Sequence, residues 1–144
     1  MHGLVDEALV GAWIRLMAAQ RTALGKIERA LKDAGFPPLS WYGVLWELDR
    51  DDNAGLRPHE LERRMLLAQY NLSRLLDRIE AAGYIQRVAC EVDGRGQIII
   101  ITAQGRELRL KMWPVYAGAI QAALGSLLSP EEAQTLDSLL RRIL

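Results

Sequence analysis

Apolar residues recur at intervals of three and four along most of this chain, and that spacing commits it to helices more firmly than any other feature. From Leu4 to Leu31 the stripe runs Val5, Ala8, Leu9, Ala12, Trp13 and Leu16, then Leu24, Ile27 and Leu31, one side of a long helix. Gly35, followed by Pro37 and Pro38, ends it. Ser40 stands where a hydroxyl caps a second helix, with Trp41, Val44, Leu45 and Leu48 on one side and Tyr42 and Trp46 on another. The acidic stretch of Asp49, Asp51 and Asp52, closed by Asn53 and Gly55, reads as a solvated turn. Pro58 suits the first turn of a short helix through Met65, with Leu61 and Met65 inward. A further helix turns Leu72, Leu75, Leu76 and Ile79 inward and stops at Gly83.

The period then changes. Tyr84 to Ala89 and Gln97 to Ile101 flank a turn containing Asp93, Gly94, Arg95 and Gly96, and the second arm holds four consecutive isoleucines, so a β-hairpin follows the helix. Thr102 can cap the next helix, which carries Leu108, Met112, Val115, Ala119, Ile120, Ala123 and Leu124 and in which Pro114 predicts a kink. Ser129, Pro130, Glu131 and Glu132 form a capping box with proline at the first helical position, opening a last helix packed by Leu136, Leu139, Leu140 and Ile143. The expected fold class is mainly α with a small β-hairpin (α+β).

A length of 144 residues fits one domain, and half apolar with a quarter charged is ordinary for a globular chain. A single cysteine, Cys90, cannot close an internal disulfide, which favours the cytoplasm, and the first residues show no basic start followed by an apolar run. The longest uncharged stretch, Met112 to Pro130, is broken by Pro114, Gly118 and Gly125 and reads as a buried helix and its approach, not a membrane span. His2 and His59 lack the spacing or cysteine company of a metal site. No nucleophile elbow, phosphate loop, dinucleotide loop or paired-carboxylate arrangement is present, so neither an enzyme, a metal nor a cofactor is expected.

Net charge is zero, but its distribution is uneven: from Arg57 to Arg106 there are eight arginines, no lysine and six acidic residues. Two short helices followed by a hairpin with arginine at its tip is the order of a winged helix-turn-helix, in which the second helix enters the DNA major groove. A helix about 10–12 Å across fits a groove about 12 Å wide. Its outer side displays Gln69, Tyr70, Ser73, Arg74, Asp77 and Arg78. Arg74 and Asn71 suit base edges, because Arg pairs bidentately with guanine and Asn with adenine. Tyr70, Ser73 and Arg78 suit phosphates. Arg95, between Gly94 and Gly96, suits the narrower minor groove.

The segments Leu61-Glu-Arg-Arg-Met65, Asn71-Leu-Ser-Arg-Leu-Leu-Asp-Arg-Ile-Glu80, Gly83-Tyr-Ile-Gln-Arg87, Asp93-Gly-Arg95 and Thr102-Ala-Gln-Gly-Arg106 together resemble the MarR family of bacterial transcription regulators. The resemblance covers nearly the whole chain. It implies one domain over 1–144, with a winged helix-turn-helix lobe at 37–106 and a helical dimerisation region at 1–36 and 107–144. It also implies a homodimeric regulator, a repressor in the first instance, that binds a pseudopalindromic operator and is released by a small, often aromatic, ligand. Asn71, Ser73 and Arg74 match the family's recognition-helix contacts, Arg95 its wing-tip arginine and Asp93 its wing acid. Where many members enter the recognition helix through Gly and Ser-Pro, this chain has Leu66 and then Ala68-Gln69, which leaves open where that helix starts.

The resemblance places a ligand cleft where Trp13, Tyr42 and Trp46 would line it, although aromatics at helical spacing are ordinarily core or interface. Arg63, Arg64 and Arg87 are ordinarily surface or ion-pair residues, and Cys90, beside the wing, lacks an activating neighbour in sequence. The competing reading is a helical dimer that serves as a protein-interaction scaffold without DNA binding, for which the zero net charge speaks.

Overall fold

The computed structural model describes residues 3–50, 54–66, 71–89 and 96–144. Along them run α1 (Glu7–Asp33), α2 (Leu39–Asp49), α3 (Pro58–Arg64), α4 (Leu72–Ala81), β1 (Ile85–Ala89), β2 (Gln97–Ile101), α5 (Ala103–Ile120), a π-helical turn (Gln121–Gly125) and α6 (Pro130–Arg141). A mostly helical chain with one antiparallel hairpin is the class that the periodicities predict. The elements group into two compact units, residues 35–114 and residues 1–34 with 115–144, and α5 contributes to both. Among the described residues no helix is long and apolar enough to cross a membrane.

In the 35–114 unit the apolar stripes meet in one cluster. Val44, Leu45 and Leu48 of α2, Leu61 of α3, Leu75, Leu76 and Ile79 of α4, and Ile85, Ile99 and Ile101 of the hairpin are all buried together. β1 and β2 pair antiparallel with Ile85 opposite Ile101 and Arg87 opposite Ile99. Leu56, which lies between the acidic stretch closed by Gly55 and the helix opened by Pro58, adds a bridge on the far side of β2: its N–H donates to the Ile99 carbonyl at 3.0 Å and its carbonyl accepts from the Ile99 N–H at 2.8 Å. Gly55 makes that approach feasible, for its φ is +81° and a β-carbon there would run into the Ile98 side chain.

The start of α5 is seated directly on the turn between α4 and β1. The Thr102 hydroxyl donates to the Gly83 carbonyl at 2.7 Å and accepts from the Gly105 N–H at 3.0 Å, as its capping role predicts. A β-carbon on Gly105 would collide with the Tyr84 carbonyl oxygen, so no larger residue allows this seating.

Two readings from sequence are corrected here. Ser40 is not the cap of the second helix: α2 starts at Leu39, with Pro38 at the N-cap and no side-chain cap bond, because Pro38 holds the extended entry (ψ 159°). Asp49 is not a solvated turn residue. Its two oxygens accept from Arg106 Nε at 3.0 Å and Arg109 Nε at 2.7 Å, and Asp51, Asp52 and Asn53 lie outside the described residues. Those ion pairs, with the ring of Trp113 stacked on Tyr42 at 6.2 Å and 22°, hold α5 to α2 well beyond residue 106. The 35–114 unit therefore takes in the first part of α5. Pro114 lies inside α5, whose helical assignment continues past it.

In the unit of residues 1–34 and 115–144, Asp6 caps α1 by accepting from the Ala8 N–H at 2.9 Å, and the π-helical turn packs against both α1 and α6. Leu31, Ala119 and Ala123 are buried. Much apolar surface is not. Leu9 (62% exposed) and Trp13 (61%) stand with Met17 one turn apart on α1, and α6 buries none of its residues, so Leu136, Leu139 and Ile143 do not pack as the sequence suggests.

The expected capping box at α6 is present. Ser129 Oγ accepts from the Glu132 N–H at 3.1 Å and Glu132 Oε1 from the Ser129 N–H at 2.9 Å. These bonds to Ser129 hold the Glu132 carboxyl below its ordinary pKa, so their stabilisation is present above the unfolded value and is lost as pH falls through the lower folded one. Ser129→Ala is expected to lower Tm by about 2–6 °C near neutral pH. A melt at several pH values checks this, and the deficit should shrink in acid.

Candidate nucleic-acid interface

α4 is held on one side and exposed on the other. Leu75, Leu76 and Ile79 are fixed in the core, while Ser73, Arg74, Asp77 and Arg78 are exposed. Arg74 and Arg78 are four residues apart, one above the other on the same side of the helix. Among the described residues neither guanidinium has a hydrogen-bond or ion-pair partner. Two such forks carry ten N–H donors, by the chemistry of arginine, which among the described residues are not taken up and suit oxygen-rich acceptors such as phosphates or guanine edges.

The helix start that the sequence left open is settled by Asn71, the N-cap of α4, whose Oδ1 accepts from the Arg74 N–H at 3.1 Å. A bidentate bond to adenine needs both Oδ1 and Nδ2, and here the cap takes one of the two lone pairs of Oδ1 and fixes the side chain against the helix, so Nδ2 is the group less committed to the cap. The signal was legible, since asparagine immediately before the first apolar residue of a helical stripe is an N-terminus signature. Gln69 and Tyr70, and Asp93, Arg95 and Cys90 at the hairpin, lie outside the described residues.

Arg87 of β1 is an ion-pair residue, in keeping with its ordinary reading. It bonds Asp77 Oδ1 through Nη1 at 2.6 Å and the Ser73 carbonyl through Nη2 at 3.2 Å, while its backbone N–H donates to Glu80 Oε2 at 3.0 Å. Sequence spacing did not show this, because the pairing spans the turn from helix to strand. Arg63 and Arg64 sit exposed in the last turn of α3.

The three aromatics assigned to a ligand cleft have different surroundings. Tyr42 is buried against Trp113. Trp46 is 42% exposed, with the Arg109 guanidinium 5.4 Å from its ring centroid, a cation–π contact that Asp49 holds in place. Trp13 belongs to the other unit, in the exposed row of α1. The described residues contain no group of His, Cys, Asp and Glu able to hold a metal ion.

Residues 34–96 match the family model described as MarR family. Over 93 residues the chain is 33% identical to the HTH-type transcriptional regulator TtmR of Methylorubrum extorquens (strain PA1), a match covering 62% of this chain and 45% of that one. The chain spans less than half the length of the curated relatives it matches. Among solved structures, it superposes with a TM-score of 0.84 on Sco3205, a MarR family transcriptional regulator from Streptomyces coelicolor in complex with DNA, at 26% identity and over 96% of this chain and 87% of that one. AbsC, a MarR family transcriptional regulator from the same organism, superposes with a TM-score of 0.83 at 25% identity, over 96% and 93%. All three relatives are transcriptional regulators.

Proposed function

We propose that the chain is a winged helix-turn-helix transcription regulator of the MarR family and that it binds operator DNA by laying α4 in the major groove. In this reading Arg74 contacts base edges, with Ser73, Arg78 and the Nδ2 of Asn71 on the backbone or neighbouring bases. By the family resemblance, Gln69 and Tyr70 join these contacts, and Arg95 with Asp93 serves the minor groove. The observation that carries the reading is the pair of exposed guanidiniums, without a partner among the described residues, on a helix whose opposite side is locked into the core. Sco3205, a relative of the same fold, has been solved with DNA bound.

The regulator works as a homodimer on a pseudopalindromic operator. One recognition helix covers only a few base pairs, and two copies one helical turn apart multiply the affinity. The exposed rows Leu9, Trp13 and Met17 on α1 and Leu136, Leu139 and Ile143 at the C-terminal end supply apolar surface for a second copy. The protein represses until a small aromatic ligand, bound more tightly by a dimer with the wrong spacing of reading helices, shifts the population away from the operator. Trp46 under Arg109 is the aromatic surface best suited to such a ligand, since Tyr42 is already stacked and Trp13 stands on the other unit.

Fluorescence anisotropy on a duplex taken from immediately upstream of the coding sequence tests these points together. The expected results are two chains per duplex, an affinity that falls by about 0.9 log units per phosphate contact for each tenfold rise in salt, and release by aromatic acids. A flat salt dependence refutes DNA binding, and saturation at one chain refutes the dimer.

A further inference from the structure

Resting on the reading of α4 as the DNA-reading helix, we infer that Arg87 sets the charge that helix presents to a duplex, as a positioning residue that screens its carboxylates. Taken alone, α4 is neutral: Arg74 and Arg78 are balanced by Asp77 and Glu80. Asp77 is 60% exposed and lies between the two arginines in sequence. Left uncompensated, its carboxylate would face a polyanion carrying one charge per about 1.7 Å of axis.

Arg87 reaches across from β1 to prevent this. Its Nη1 stands 2.6 Å from Asp77 Oδ1 and 3.5 Å from Glu80 Oε1, and its side chain is only 20% exposed, so it is committed to these partners and not to solvent. Ser73, Asp77 and Glu80 fall at positions i, i+4 and i+7, one stripe of α4, and Arg87 touches all three through the Ser73 carbonyl and the two carboxylates. With Arg87 in place the group of α4 and its strap carries one net positive charge, and the guanidiniums of Arg74 and Arg78 are not drawn into local pairs. Its fork also ties the first turn of α4, where Arg74 begins, to the hairpin.

The mask and the tie can be separated. In Arg87→Ala the Glu80 carboxylate keeps the backbone N–H of residue 87, so the main uncovered charge is Asp77. Affinity for a mixed-sequence duplex at ~0.1 M salt is expected to fall about tenfold, and the salt slope to fall by about one. Arg87→Ala with Asp77→Asn removes the exposed charge without restoring the tie, and is expected to recover most of that affinity and slope while its Tm stays as low as that of Arg87→Ala. Asp77→Asn alone should bind at least as tightly as wild type.

Three results would overturn the inference: no loss in Arg87→Ala, no recovery in the double variant, or recovery only in step with Tm. A wild-type protein that binds no duplex would overturn the DNA reading itself. A wild type that binds steeply while the double variant fails to recover would overturn the screening role alone.

Discussion

Ile99→Ala is expected to remove about 2–5 kcal/mol of stability, a roughly 30- to 5000-fold shift toward the unfolded state. Ile99 is fully buried at the centre of the hairpin, in one cluster with residues of α2, α3 and α4. Its backbone is equally committed, paired with Arg87 on one side and exchanging two hydrogen bonds with Leu56 on the other. With both neighbouring strands fixed, the walls of the cavity cannot close, which puts the cost toward the upper end for this substitution. Ile99→Val, which removes one methylene, should cost only about 0.5–1.5 kcal/mol. Urea unfolding followed by tryptophan fluorescence reads both, with the m-value unchanged if only the native state is affected. If alanine costs no more than valine, the side chain is not the keystone its burial indicates.

What was legible in the sequence is what short-range chemistry determines. The 3.6-residue stripes placed α1 to α6, the four isoleucines placed β2, and Thr102 and Ser129 were readable as caps because each acts on N–H groups two or three residues away. What the sequence concealed joins residues far apart along the chain. Asp49 looked like a turn acid because Arg106 and Arg109 lie more than fifty residues on, and the ion pairs of Arg87 had no nameable partners because its carboxylates belong to another element. Leu56 was hidden for a different reason, since a single residue of strand has no period to detect. The apolar stripe of α6 was readable, but a stripe states only that something covers it. The site was half legible: periodicity assigned Arg74 and Arg78 to the outer side of α4, whereas the engagement of Asn71 Oδ1 in the cap needed coordinates.

Arg74→Ala separates stability from recognition most sharply. The guanidinium is exposed and has no partner among the described residues, and alanine is a good helix former, so unfolding free energy should change by no more than about 0.5 kcal/mol. Operator binding, by contrast, should weaken by about 1–3 kcal/mol, roughly 5- to 150-fold, because a bidentate fork at a base edge cannot be replaced by water in the same geometry. Arg74→Lys keeps the charge and loses the fork, so it should retain binding to a mixed-sequence duplex while losing the preference for the operator. Arg78→Ala should weaken both duplexes alike and lower the salt slope by about one, the mark of a phosphate contact. Competition anisotropy with the two duplexes distinguishes these outcomes. Equal operator affinity in wild type and Arg74→Ala would mean that the exposed fork of α4 is solvated surface, and the reading of bases would have to be sought elsewhere on the chain.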